Sequence, residues 1–266
     1  FVGQEGTLGL IVDSELELLD TPPGIFSAFV FFEEVSAARD FAGSARDANA
    51  LSVEYFDGNS LRLLAQKYPN VPGKAGAAIF FEDEIWGRED AALEKWDSIL
   101  SRAGVSSDNT WFAMNEKERR EFCEKRHFIP QNLSEMARRS GFPKISTDLA
   151  VPLEKLIDMM RFYEKELRHS SLRYFIFGHI GDAHLHVNML PESGKDYEKA
   201  SRLRMEFVKK SISCGGTISA EHGVGKTKKE FLKLLYGEKG IREMIAVKKA
   251  LDPNLILSRG NIFDIF

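Results

Sequence analysis

Four of the six histidines in this 266-residue chain fall between positions 179 and 222. His184 and His186 alternate along a strand-like run, so both imidazoles are expected on one face of that strand. Gly181 permits a turn that folds the chain back and brings His179 beside His186. Imidazoles that converge in this way are natural ligands of zinc, manganese or iron. Hydrogen-bonded histidines in a polar cleft are the alternative interpretation, because this spacing is not specific to metal sites.

A glycine-rich segment, Cys214–Lys226, contains a carboxylate and an imidazole side by side, Glu221 and His222. Glu221 would complete a site of two histidines and one carboxylate, which leaves coordination positions open for a substrate. An imidazole titrates near neutral pH, so His222 is suited to accept a proton. A glycine-rich helix cap with solvated charges is the alternative, and the histidines nearby favour the functional interpretation.

Two cations, Arg126 and Lys144, are candidates for holding an anionic substrate. An arginine pairs with a carboxylate through two parallel hydrogen bonds. The chain has 36 lysine and arginine residues. The sequence alone therefore favours a solvated surface charge at each of these two positions.

Composition excludes several classes of protein. The net charge is −4, which gives no reason to expect a nucleic acid partner. No apolar run approaches the roughly 18 residues that a membrane-spanning helix needs. Two cysteines provide neither a disulfide framework nor a CxxC zinc site, so we expect a reducing compartment and predict a cytoplasmic location.

Apolar strands alternate with amphipathic helices, and this alternation predicts an α+β fold with an antiparallel sheet and helices mainly on one face. The sequence predicts strands at 10–19, 27–32, 51–56, 75–81, 174–177 and 185–190. It reads as helices at 36–49, 89–102, from Pro152 onward, and at 195–213. Two prolines and a glycine in Thr21–Gly24 indicate a linker and a candidate domain boundary.

The sequence resembles the C-terminal portion of FAD-linked oxidases of the vanillyl-alcohol-oxidase type. The branch it resembles contains D-lactate dehydrogenases, glycolate oxidase flavoprotein subunits and D-2-hydroxyglutarate dehydrogenases. Gly178–Asn188 is similar to the family motif G-H-x-G-D-G-N-L-H-x-N, and Gly215–Gly225 is similar to G-G-T-x-S-x-E-H-G-x-G. Further similarity lies in Phe1–Gly9, Glu54–Asp57, Lys144–Pro152 and Leu251–Leu257.

The resemblance implies an organisation for the whole chain. Residues 1–21 would be the tail of an FAD-binding domain, and residues 22–250 a cap that carries a ferredoxin-like antiparallel sheet and the substrate site. Residues 251–266 would return toward the flavin domain. The contacts to FAD implied for the first segment are Gly3, Glu5, Gly6, Thr7 and Gly9.

The resemblance also implies roles for the site residues. His179, His186 and Glu221 would bind a divalent metal ion, and His222 would remove the hydroxyl proton of a D-2-hydroxy acid. The implied ligands of the substrate carboxylate are Arg126 and Lys144, with Asn188 nearby. The hydride from C2 would pass to the flavin. The substrate would be of the lactate, glycolate or hydroxyglutarate type.

Ala183 and His184 depart from the family pattern, which has Gly-Asn at these positions. His184 is therefore expected either as a fourth metal ligand or as a group that contacts the ligands. The residues of an FAD-binding domain are not in this sequence, so we expect that domain in a longer chain or in a separate chain. The alternative function is a binding module for a metal or small acid without redox activity.

We expect the 266-residue chain alone to bind little FAD, because Phe1–Gly9 would provide only the tail of a flavin site. Titration of FAD with the chain should show no tight quenching of flavin fluorescence. A dissociation constant below about 1 μM would contradict this expectation and would indicate a second flavin site within the chain.

Overall fold

An antiparallel sheet forms the centre of the computed structural model, which describes residues 1–113 and 115–265. Its strands are β1 (Gly24–Phe32), β2 (Ser52–Asp57), β3 (Ala77–Ile85), β4 (Thr110–Ala113), β5 (Ile145–Ser146), β6 (Leu149–Ala150), β7 (Arg173–Gly178) and β8 (His184–Leu190). Their order is β4-β1-β3-β2-β7-β8-β5, and β6 also pairs with β8. Phe266, the last residue of the predicted segment 251–266, lies outside the described residues.

Helices cover both faces of this sheet. They are α1 (Val35–Asp47), α2 (Gly58–Ala65), α3 (Glu89–Arg102), α4 (Glu116–Ser140), α5 (Leu156–Arg168), α6 (Gly194–Ser213) and α7 (Lys229–Leu251). Gly237 has φ 66° and ψ 177°, so α7 is kinked there into two helical parts. Within residues 1–113 and 115–265, no helix has the length and apolar character needed to cross a membrane.

The first half of the chain has the ferredoxin-like arrangement. Strands and helices follow the order β1-α1-β2-β3-α3-β4, with α2 inserted between β2 and β3. The second half repeats part of this pattern as β5-α5-β7-β8-α6. The two halves join edge to edge through β2 and β7, where Tyr55 lies opposite Gly178 and Phe56 opposite Phe177.

Strand β1 is apolar on both sides, because each face of the sheet is covered by helices. Ala28 and Val30 face one apolar layer, to which α1, α3, α5, α6 and α7 contribute buried residues. Phe29 and Phe31 face the other layer, which α2 and α4 complete. Five of the described helices therefore cover one face and two cover the other.

The α+β fold class with an antiparallel sheet is confirmed. The sequence pattern located most of the long elements within a few residues, and the helix at Glu89–Arg102 has the predicted bounds. It gave no bounds for helix α7, and it missed the short helix α2 and the 25-residue helix α4. Helix α4 is rich in charge and contains Pro130, so its apolar stripe is narrow.

The strand predicted for residues 10–19 is wrong. Residues 10–22 form neither helix nor strand, and the apolar side chains of Leu10, Val12, Leu16 and Leu18 are exposed. A strand needs a neighbour to pair its backbone groups. The described edges of the sheet are occupied by β4 and β5, and this segment pairs with neither.

Phe29 lies at the centre of the layer beneath α4 and is fully buried, with its ring 4.8 Å from that of Phe80 and 5.3 Å from that of Phe122. We expect Phe29→Ala to lower the free energy of unfolding by about 3–5 kcal/mol, because it leaves a cavity among these rings. Urea unfolding measures the change. Phe112→Ala is the matched control, since Phe112 is 41% exposed. Equal losses in both variants would contradict this packing.

Candidate active site

The histidine segment is shaped by a tight return between β7 and β8. Gly178 has φ 134°, and a side chain there would meet the ring of His186 at 3.0 Å. A single 3₁₀ turn, Ile180–Asp182, then reverses the chain. The ring centres of His179 and His186 lie 5.8 Å apart. Leu185 and Val187 face the layer of five helices, so His186 lies on the side of the sheet that carries α4.

The two imidazoles are held by their Nδ1 atoms. His186 Nδ1–H donates to the main-chain oxygen of Thr147 at 3.1 Å, which leaves Nε2 unprotonated in the neutral ring. His179 Nδ1 lies 2.8 Å from the carboxylate of Glu54. The Nε2 atoms lie 2.8 Å (His186) and 3.4 Å (His179) from the carboxylate of Glu221. A carboxylate or carbonyl on Nδ1, with Nε2 facing inward, is the usual arrangement around a metal-binding histidine.

Glu221 reaches this place because Asp148 holds its loop. The backbone N–H groups of Glu221 and His222 donate to the Asp148 carboxylate at 3.2 and 3.1 Å. Ser219 Oγ and Lys228 Nζ donate to the same carboxylate at 2.7 and 2.6 Å. Asp148 lies beside β6, which pairs with β8, so the loop is fixed directly next to the histidine strand.

Burial and charge shift the titration of these groups. Burial alone would raise the pKa of Asp148, but contacts with His184, Lys228 and Ser219 outweigh it and hold the pKa far below its usual range. Burial lowers the pKa of His186, which favours the neutral ring that binds metals. The hydrogen bond to Glu54 raises the pKa of His179.

Glu221 and His222 differ in their surroundings. Burial opposes ionisation of Glu221, but the neighbouring imidazoles outweigh it and lower the pKa of this carboxyl. His222 is the more exposed of the two, with 65% of its side chain accessible, and its Nε2 lies 3.1 Å from Glu221. Gly223 has φ 75°, and a side chain there would meet the carboxylate of Glu5 at 2.7 Å, so this turn requires glycine.

Two overlapping sets of donor atoms lie within 4.8 Å of one another. The first is His179, His184, His186 and Glu221; the second is Asp148, His186, Glu221 and His222. Imidazole nitrogens with a carboxylate suit zinc, manganese or iron. The first set fits an ion better, because the Asp148 carboxylate already accepts bonds from Ser219, Lys228 and two backbone N–H groups.

The structure places the three residues predicted to hold a substrate carboxylate in different surroundings. Arg126, on α4, pairs with Glu54 and so adjoins His179 through that carboxylate. Lys144 is half-buried, burial lowers its pKa, and it has no ion-pair partner among residues 1–113 and 115–265. Asn188 is buried on β8 and accepts a hydrogen bond from Ser146 at 2.8 Å.

The residues predicted to contact FAD lie against the C-terminal segment and the glycine-rich loop. Glu5 accepts hydrogen bonds from the N–H groups of Val224 and Gly225 at 2.6 and 2.8 Å. The main-chain oxygen of buried Thr7 accepts from Lys248 at 2.5 Å. A side chain at Gly6 would meet Ser258 at 2.8 Å, and one at Gly3 or Gly9 would meet little or nothing.

Sequence reasoning assigned no role to Glu54 or Asp148, although both lie in segments similar to the family. The signal for Glu54 was an acid inside the apolar strand Ser52–Asp57, because a buried carboxylate needs a partner. Asp148 had no such signal. Its partners lie 71 to 80 residues further along the chain, and only the folded structure brings them together.

The chain combines a ferredoxin-like arrangement of strands with a cluster of histidines and a carboxylate. Residues 21–262 match FAD linked oxidases, C-terminal domain, and the chain belongs to this family. It is 28% identical to glycolate oxidase subunit GlcD of Bacillus subtilis, over 99% of this chain and 56% of that protein. It is 27% identical to mitochondrial D-lactate dehydrogenase (cytochrome) 1 of Saccharomyces cerevisiae, over 99% of this chain and 46% of that protein.

A third relative is D-2-hydroxyglutarate dehydrogenase of Stutzerimonas stutzeri, 24% identical over 99% of this chain and 58% of that protein. The chain thus spans about half the length of the curated relatives it matches. Among solved structures, p-cresol methylhydroxylase has a TM-score of 0.62 at 13% identity, over 91% of this chain and 53% of that one. This likeness confirms the fold.

Replacing Glu54 by Gln should lower the pKa of His179, because the carboxylate on Nδ1 stabilises the protonated ring. An NMR titration of the histidine ring protons in metal-free buffer measures the shift. Glu82→Gln is the matched control. Glu82 lies on β3 of the same sheet, and its partners among the described residues are Arg119 of α4 and Ser27, neither of which is a histidine. An unchanged His179 titration in Glu54→Gln would contradict this contact.

Proposed function

We propose that this chain is the substrate domain of a flavin-dependent oxidoreductase that oxidises a D-2-hydroxy acid. Family membership and the names of the relatives support a hydroxy acid of the glycolate, lactate or hydroxyglutarate type. The observation that carries the proposal is the approach of two histidine Nε2 atoms to Glu221, with His222 adjacent. The cytoplasmic location stays a prediction, since the yeast relative is named mitochondrial.

His179, His186 and Glu221 are the residues that would hold a divalent metal ion. A bound ion would acidify the α-hydroxyl group of the substrate. Glu54 and Thr147 hold the two rings by their Nδ1 atoms, so the inward Nε2 atoms need no rearrangement. The loop that carries Glu221 is equally fixed by Asp148.

His222 is the proposed base for the hydroxyl proton. A nitrogen bound to a metal has no lone pair left to accept a proton, so ligand and base must be different groups. Adjacent Glu221 and His222 meet this requirement, because the loop directs Glu221 to the two inner histidines and leaves His222 mostly exposed. Transfer of the substrate's hydroxyl proton to His222 would leave negative charge on the oxygen and so favour hydride departure from C2.

Arg126, Lys144 and Asn188 are the proposed ligands of the substrate carboxylate. Lys144 supports this role most clearly, because a half-buried ammonium without an ion-pair partner among the described residues is poorly compensated. Arg126 donates to Glu54 through Nη2, and no other hydrogen bond of its guanidinium is found within the described part of the chain, so the other N–H groups could donate to a substrate carboxylate.

FAD would be held mainly by an FAD-binding domain in the same chain or another chain. The flavin would accept the hydride from C2. Residues 1–21 and 251–266 would face that domain, and the open backbone at Gly3 and Gly9 allows close approach to a ligand. Glu5, Gly6 and Thr7 would support this surface from behind, through the contacts that tie them to the glycine-rich loop and to Lys248.

Replacing His222 by Asn should slow flavin reduction by about 10²–10⁴-fold, the range for loss of a general base. Stopped-flow absorbance of the flavin measures this rate in the protein that includes the FAD-binding domain. Metal content should stay near that of the wild type, whereas Glu221→Ala should lose metal and activity together.

Flavin reduction by His222→Asn at a near wild-type rate would contradict the assignment of the base. Absence of any 2-hydroxy-acid oxidation by the wild-type protein with its FAD-binding domain would instead favour a binding module without redox activity.

A further inference from the structure

His184 is a buried histidine whose Nε2 has no aligned hydrogen-bond partner among the described residues. Only 5% of the residue is exposed. Its Nε2 lies 3.1 Å from Asp148 Oδ1, yet among the described residues no group is aligned to form a hydrogen bond with it. A buried polar atom without a hydrogen bond costs free energy, and such atoms in a folded protein require an explanation such as a missing ion.

Asp148 accounts for this nitrogen only in part, because the contact with its Oδ1 at 3.1 Å is not aligned as a hydrogen bond. Its carboxylate already pairs with Lys228 and accepts hydrogen bonds from Ser219 and from the backbone of Glu221 and His222. Lys228 already forms an ion pair with this carboxylate, so compensation of its charge does not depend on His184 alone. Its Oδ2 accepts the bonds from Ser219, His222 and Lys228 and its Oδ1 the bond from Glu221, so rotation of the carboxylate into alignment with His184 would break them.

The surroundings of His184 point toward the metal-binding set instead. Its ring centre lies 4.5 Å from that of His186 and 5.4 Å from that of His179. It offers a donor atom within 4.8 Å of donor atoms on His179, His186 and Glu221. Three imidazoles and one carboxylate thus face a common space.

The backbone before His184 is held in an unfavourable conformation. Ala183 has φ 51°, in the left-handed region that favours glycine. The N–H of His184 donates to the His179 oxygen at 3.1 Å, which closes this turn and fixes the distance between the two histidines. Such strain persists where the surrounding structure determines the conformation, and it is concentrated at functional sites.

We propose that His184 is a fourth protein ligand of the metal ion, so that the donor set consists of three imidazoles and one carboxylate. This inference rests on the metal site proposed above. A third imidazole shifts the site toward ions that prefer nitrogen ligands, so we expect Zn²⁺ to bind in preference to Mg²⁺ and Mn²⁺.

Two measurements on the metal-free 266-residue chain test the proposal. In ¹H–¹⁵N spectra of the imidazole rings, added ZnCl₂ should shift ring nitrogens of His179, His184 and His186. Calorimetric titration of His184→Asn should show Zn²⁺ affinity lowered by at least about tenfold, with a much smaller change for Mg²⁺. His169→Asn is the matched control, because His169 is exposed at the end of α5 and lies in neither donor set.

The spectra of the wild-type chain need no variant, so they decide the proposal even if His184→Asn folds poorly. Shifts at His179 and His186 without a shift at His184 would overturn this inference and leave the proposed metal site intact. No shift at any of the three histidines would overturn both.

Discussion

The carboxylate of Asp148 binds a loop that lies 71 to 80 residues further along the chain. It is buried, so its charge must be compensated inside the protein. The compensation comes from Lys228, Ser219 and two backbone N–H groups, and these bonds determine the path of the loop that carries Glu221 and His222. Main-chain bonds from Thr217 and Ala220 to residues 150 and 148 hold the start of this loop, so the Asp148 carboxylate acts mainly on Glu221 and His222.

A second constraint acts across the junction of the two half-sheets. Strands β2 and β7 pair over only two residue positions, and the buried Glu54 lies directly at this junction. Its carboxylate binds Arg126 from α4 and His179 from the end of β7. The same contact that neutralises a buried acid therefore joins a helix, two strands and one of the site histidines.

Part of the candidate site could be predicted from the sequence, because alternation along a strand determines which side chains share a face. Alternation placed His184, His186 and Asn188 on one side of a strand, and the structure has them there because the opposite side, with Leu185 and Val187, is core. Adjacent Glu221 and His222 in the glycine-rich segment entered the same hypothesis by their residue types, and the family resemblance then implied a separate role for each. The helix Glu116–Ser140 escaped detection, since its charges mask the few residues that pack on the sheet.

Pairings between distant charges had no local signal. Arg126 was predicted to hold a substrate, but whether it meets Glu54 depends on how α4 crosses the sheet, which no short segment determines. The run at 10–19 has strand-like apolar residues, yet no neighbouring strand is there to pair with it. In both cases tertiary context, which periodicity does not contain, decided the outcome.

We expect Asp148 to hold the site in place before any ligand binds, and amide hydrogen exchange tests this directly. In the wild-type chain, the amides of Glu221 and His222 should exchange slowly, and Asp148→Asn should speed both by at least about tenfold. The amide of Ala220 is an internal control, because it donates to the main-chain oxygen of residue 148, which the variant keeps. Equal exchange of Glu221 and His222 in the two proteins would contradict the claim.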